Sequence, residues 1–123
     1  MEPQASAPPF DLCDRTFQFA LRIVRFCDLL NHKPGVSWTL SKQLLRSGTS
    51  IGANVEEAQA GQSKADFVSK YSIARKETRE TRYWLRIVAE TNLAEGSAVA
   101  ALVAECDALI KILTTIIKKS SNA

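Results

Sequence analysis

The stretch from Arg46 to Leu85, RSGTSIGANVEEAQAGQSKADFVSKYSIARKETRETRYWL, constrains the fold more than any other part of this chain. Apolar residues recur at helical spacing on both sides of Gly61, so the stretch reads as two long helices joined by a tight break. At about 100° per residue, Leu40, Leu44, Gly48, Ile51, Val55 and Ala58 fall in one sector of the helix before the break. Phe67, Tyr71, Ala74, Thr78, Thr81 and Leu85 do the same in the helix after it. A helix with one apolar stripe must bury it against another element, so these two helices imply a bundle.

Capping and breaking residues divide the rest of the chain. Met1 to Pro9 carries three of the four prolines among small and polar residues, and residues 1–10 are expected to be a disordered arm. A first helix is expected from about Asp14 to Asn31, capped by Asp11 or Asp14 and stopped by the HKPGVS segment. A second is expected from about Trp38 to Ala60, with Ser37 as candidate cap and Gly61 as a left-handed terminator. Ser63, with Asp66 three positions on, resembles a capping box and starts a third helix near Lys64. That helix runs to about Thr91, where Asn92 can end it. A fourth occupies roughly Ala94 or Ser97 to Lys119, on a stripe from Val99 through Cys106 and Leu109 to Ile117, and residues 120–123 read as a frayed tail. Connections this short set neighbours antiparallel, which gives an all-α, up-down-up-down four-helix bundle domain over residues 11–119.

One stripe per helix suffices for a monomer, yet the first and third helices carry more. The first has Phe17, Leu21 and Val24 on one side and Phe19, Ile23, Phe26 and Leu30 on another. The third adds Ile73, Glu77, Trp84, Ile87 and Val88 on the flank away from Phe67 and Leu85. Stripes of this kind outside a small bundle mark a partner surface, although a wide core sector would also absorb Trp84 and Val88. The second helix carries Ser47, Gly48, Ser50, Gly52, Ala53 and Asn54, whose glycines cost roughly 1 kcal/mol each in a helix. Close approach of another helix would offset that cost. These patterns point to self-association, with Ser47, Ser50, Asn54, Ile73, Glu77, Glu80 and Trp84 as the candidate interface.

The same residues carry a resemblance. Arg46, Ser47, Ser50, Ile51, Asn54, Glu56 and Glu57, followed by Ser63, Phe67, Lys70, Ala74, Lys76, Glu77, Glu80, Tyr83, Trp84 and Leu85, make the central motif similar to the bacterial four-helix bundle family encoded in intervening sequences of 23S ribosomal RNA genes. The resemblance extends from about Phe17 to Ile117, with the outer helices matching only in pattern. It implies an antiparallel four-helix bundle assembled into a homopentamer, and it implies little biochemistry. A distant branch of similar fold serves as an accessory protein to a retroelement reverse transcriptase through a basic surface, which is an analogy of fold alone.

Chemistry-bearing patterns are sparse. The one histidine, His32, sits beside Lys33 and Pro34 in a loop, a surface context rather than a catalytic one. No CxxC, HExxH or Glu-x-x-His pair and no phosphate-cradling GxxxxGK loop is present, so no catalytic residue, metal ligand, cofactor or small-molecule substrate is expected. Glu56, Glu57, Glu77 and Glu80 are placed to meet between the second and third helices, with Arg46, Lys70 and Lys76 near enough to neutralise them. Cys13, Cys27 and Cys106, odd in number and widely spaced, read as reduced thiols of a cytoplasmic protein. At 123 residues and 46% hydrophobic the chain is one domain with a real core. No apolar run approaches the roughly 20 residues that span a bilayer, and the N-terminus has no signal-peptide pattern. A net charge of +3 permits a nucleic-acid partner without demanding one. Its candidate contacts are Arg75, Arg79, Arg82 and Arg86, one guanidinium stripe that Lys64 extends. The nearest aromatic is Tyr83, which gives base stacking little support. An ion-paired, solvated helix face is the other reading of that stripe. The expected role is therefore a non-enzymatic, homo-oligomeric assembly protein, with RNA or DNA binding as the alternative.

Overall fold

Helices form where the capping residues release them. The computed structural model describes residues 11–61 and 63–122. It contains α1 (Leu12–Leu30), α2 (Val36–Gln59), α3 (Lys64–Glu90) and α4 (Gly96–Asn122). Of the two caps proposed for α1 it is Asp11 that serves, its side chain accepting the Asp14 N–H at 3.2 Å. The Ser63 hydroxyl accepts the Asp66 N–H at 3.1 Å and caps α3 as expected. Asn92 ends α3 in the left-handed region at φ 56°.

Three local expectations fail. Ser37 does not cap α2, because the helix starts at Val36 and buries Ser37 inside it. Gly35 takes the N-cap position at φ 84°, a left-handed conformation that suits glycine. Gly61 is not in that region; α2 ends through Ala60, and the Gly61 N–H donates to the Ala58 carbonyl at 3.2 Å. α4 continues past Lys119 through Ser120 and Ser121, which are helical rather than a loose tail. The expected arm, residues 1–10, lies outside the described residues.

Cross-helix contacts fix the topology. Between α1 and α2, Cys27 Sγ donates to the Ser41 carbonyl, and Gly52 lies against Thr16, so partners rise along one helix as they fall along the other. Gln59 to Tyr71 and Ser47 to Thr81 repeat the pattern between α2 and α3, as do Arg75 to Thr114 and Arg82 to Asp107 between α3 and α4. The fold is therefore the antiparallel up-down-up-down bundle, all-α among the described residues. α1 and α4 stand further apart than the other neighbours and are tied by a two-bond ion pair, Arg15 Nε to Glu105 Oε2 at 2.7 Å and Arg15 Nη2 to Glu105 Oε1 at 2.9 Å.

The core is drawn from the expected stripes. Leu44, Ile51 and Val55 of α2, Leu85 of α3, and Val99, Leu109 and Leu113 of α4 are fully buried with Phe19 and Ile23 of α1. Val88, assigned above to the outer flank of α3, is also fully buried: a core sector wide enough to meet both α2 and α4 takes it in. The small residues of α2 are likewise used inside the protomer. A Cβ at Gly48 would stand 2.8 Å from Ile23 Cγ2, and one at Gly52 would stand 3.1 Å from Thr16 Oγ1. At these two glycines it is α1 that approaches. No helix of the described residues is long and apolar enough to cross a membrane.

Candidate functional site

Two surfaces flank α3. The first is its outer seam with α2. Arg46 reaches across from α2 and pairs with both Glu77, at 3.4 Å from Nη1 to Oε1, and Glu80. Trp84 Nε1 donates to Glu80 Oε2 at 3.1 Å, and the indole meets the Tyr83 ring edge-on with centroids 5.3 Å apart. Glu77 is only 9% exposed, held under this network. Ile73, Trp84 and Ile87 are half-buried along the same flank. Two carboxylates on one guanidinium leave one negative charge in excess within an otherwise apolar seam.

Not every candidate interface residue belongs there. Ser47 is fully buried, its hydroxyl accepting the Thr81 hydroxyl proton at 2.8 Å, so it joins α2 to α3 and cannot touch another subunit. Ser50 and Asn54 are half-buried beside the seam, and both side chains donate to their own helix: Ser50 Oγ to the Arg46 carbonyl at 2.6 Å, Asn54 Nδ2 to the Ser50 carbonyl at 2.9 Å. Ile73, Glu77, Glu80 and Trp84 do lie together. Glu56 does not join those carboxylates, because it lies on the α1 side of α2.

The second surface is the seam of α3 with α4. Arg75 Nη1 donates to Thr114 Oγ1 at 3.2 Å, and Arg82 Nε pairs with Asp107 Oδ1 at 2.6 Å. Arg79 and Arg86 are exposed and make no hydrogen bond or ion pair among the described residues. Arg79, Arg82 and Arg86 line a shallow open groove with Tyr83, Asp107 and Ile110. Tyr83, the aromatic nearest the stripe in sequence, is 55% exposed and stands among these arginines. Lys64 is exposed at the start of α3, eleven residues before Arg75 or about 16 Å along the helix axis.

A third face was not singled out as a site from sequence, although its residues were noted. Phe17 is 51% and Val24 45% exposed, and with Ala20 and Leu21 they line an apolar groove along α1. Thr49, Gly52, Ala53 and Glu56 of α2 form its other side. The two-sided apolar pattern of α1 was the available signal.

Burial pushes the Cys27 thiol up to about 11 and the Cys106 thiol up to about 12. Cys13, half-buried, is raised by burial and by nearby Glu56 and Asp11. All three cysteines are free. His32 is exposed, its Nδ1 at 2.7 Å from the Asp28 carbonyl oxygen. Among the described residues no group of three or more His, Cys, Asp or Glu is arranged to hold a metal ion.

The sequence model of the 23S rRNA-intervening sequence proteins matches residues 10–115 of this chain, which takes in α1, α2, α3 and most of α4. The chain belongs to that family. A crystal structure at 1.70 Å of a protein of unknown function from the S23 ribosomal protein family of Bacteroides thetaiotaomicron is similar to it, 40% identical with a TM-score of 0.82. That similarity covers 88% of this chain and 99% of the other. Neither description names a catalytic activity. No match is found among functionally curated proteins. For this member of the 23S rRNA-intervening sequence proteins, the surfaces themselves are the guide to function.

Proposed function

We propose that the chain is a non-enzymatic subunit that assembles with copies of itself, in a homopentamer as its family resemblance implies. The observation that carries this is the outer α2–α3 seam: Ile73, Trp84 and Ile87 half-buried around two carboxylates that share Arg46. An apolar stripe that includes a tryptophan, with the buried Glu77 carboxylate already paired within it, has the composition of an interface core. Glu77 and Glu80 are committed to Arg46, which leaves them poorly suited to acid–base work.

Trp84→Ala is the test. Light scattering should find the variant at or near the 13.5 kDa monomer while far-UV circular dichroism retains the helix content. An unchanged oligomer mass would remove Trp84 from the interface.

A second reading, RNA or DNA binding, has one observation in its favour: exposed Arg79 and Arg86 flanking exposed Tyr83. Since Arg82 is engaged with Asp107, charge reversal belongs at Arg79 and Arg86. If phosphate is bound there, affinity for a single-stranded RNA falls steeply with salt. Replacing both arginines by glutamate should then lower the log–log salt slope by about 0.7 for each phosphate no longer neutralised, with assembly intact. Binding that ignores both salt and substitution would discard this reading.

A further inference from the structure

We infer that the α3–α4 groove holds one unpaired nucleotide of a single-stranded nucleic acid, with its base on Tyr83 beside Asp107 and its flanking phosphates on Arg79 and Arg86. This rests on the second reading above, nucleic-acid binding, and names the form of nucleic acid and the base edge that the same site takes.

Charge order along the groove carries the inference. Arg79 and Arg86 stand about 10 Å apart along the axis of α3, and both are exposed without a hydrogen bond or ion pair among the described residues. Between them Arg82 Nε is bonded to Asp107 Oδ1 at 2.6 Å, so the middle of the groove is an ion pair without net charge. Tyr83 stands at that level, and its hydroxyl makes no hydrogen bond among the described residues. The order is cation, then aromatic ring with a neutralised pair, then cation. A single strand presents phosphate, base and phosphate in the same order. The Asp107 carboxylate repels a phosphate from the middle, and a duplex keeps its base faces stacked inside, away from Tyr83.

The ring is held as a platform. Trp84, tied to Glu80 through Nε1 at 3.1 Å, meets Tyr83 edge-on with centroids 5.3 Å apart. Any base stacks on such a ring, while guanidinium forks take the phosphates. Asp107 adds a preference among bases. Its Oδ1 is taken by Arg82, and its Oδ2 accepts no hydrogen bond among the described residues. An ionised carboxylate only accepts, so it favours a base edge with an exocyclic amine, as in cytosine, over uracil, whose matching O4 also accepts.

Neighbouring charges set the direction of the strand. Glu90 lines the same seam, exposed one turn beyond Arg86, and disfavours phosphate at that end. Lys111, exposed one turn after Asp107 on antiparallel α4, is level with about Thr78 and reinforces the Arg79 end. Further phosphates of the strand therefore run from Arg79 toward Lys111.

Fluorescence anisotropy of the full chain at low salt, with labelled oligocytidylate, oligouridylate and a duplex of equal length, tests this. Oligocytidylate should bind about tenfold more tightly than either of the others. Tyr83→Ala should weaken it about fivefold or more without changing the salt slope, and Tyr83→Phe, which keeps the ring, should bind like wild type. Asp107→Asn should bring the two oligonucleotides to near-equal affinity. That ratio is the readout, because loss of a negative charge tightens both. Cytidine monophosphate, with a single phosphate, should bind roughly tenfold more weakly than the strand. Equal affinity for the mononucleotide would make the groove a nucleotide pocket and overturn the inference. A duplex bound as well as the single strand, or a cytosine preference that survives Asp107→Asn, would also overturn it. Full affinity in Tyr83→Ala, with binding lost in the Arg79→Glu, Arg86→Glu variant, would overturn it while leaving phosphate contact standing. If the unmodified chain binds none of these probes, nucleic-acid binding falls and this inference with it.

Discussion

Leu85→Ala is expected to lower the free energy of unfolding by about 3 kcal/mol, within the range of about 2–5 for large-to-small changes in a packed core. Leu85 is 0% exposed on α3, which packs against both α2 and α4. Truncation removes apolar atoms from the core these helices share. Backbone hydrogen bonds hold the helices on either side, so the space left behind closes only in part. Chemical denaturation at one fixed protein concentration is the appropriate measurement, since assembly adds concentration-dependent stability. A loss below about 1 kcal/mol would mean that the core relaxes around this position.

Gly48→Val should cost a comparable amount, about 3 kcal/mol at the upper end for overpacking. Helix propensity argues the other way, because valine is slightly better than glycine in a helix. Contact decides the sign. A Cβ at Gly48 would lie 2.8 Å from Ile23 Cγ2, 2.9 Å from Cγ1 and 3.2 Å from Cβ, and the last of these is not the far end of a flexible chain. Valine adds two methyl groups beyond that clash. Either α1 lifts from α2 or Ile23 leaves its rotamer. Gly96→Ala is the control: nothing lies within 4 Å of the added Cβ, and a small gain of about 0.5 kcal/mol is expected. Stabilisation by both substitutions would show that α1 does not lean on Gly48.

Those two glycines also mark how far the sequence could be read. The helical sectors were legible because the apolar period of α2 and α3 is regular, and they predicted Leu44, Ile51, Val55 and Leu85 as core. Ser63 and Asn92 were legible because a cap and a left-handed residue act locally. The small-residue face of α2 was recognised as a place of close approach, but the identity of the approaching helix is a tertiary fact. Hence Ser47 was assigned to a partner when its hydroxyl serves Thr81. Val88 was misplaced for the same reason, since the width of the core sector depends on how α4 packs. Gly61 shows the opposite limit: glycine permits a left-handed conformation without requiring one. The groove of Phe17 and Val24 became visible only when Phe19 and Ile23 were found to fill the core, leaving the other side of α1 uncovered.

The most direct test of the account is the solution mass of the unmodified chain by light scattering. A mass several times 13.5 kDa is predicted, fivefold for the pentamer that the family resemblance implies. A single species at 13.5 kDa across the accessible concentration range would contradict it, and would leave Trp84 and Phe17 as ordinary surface residues.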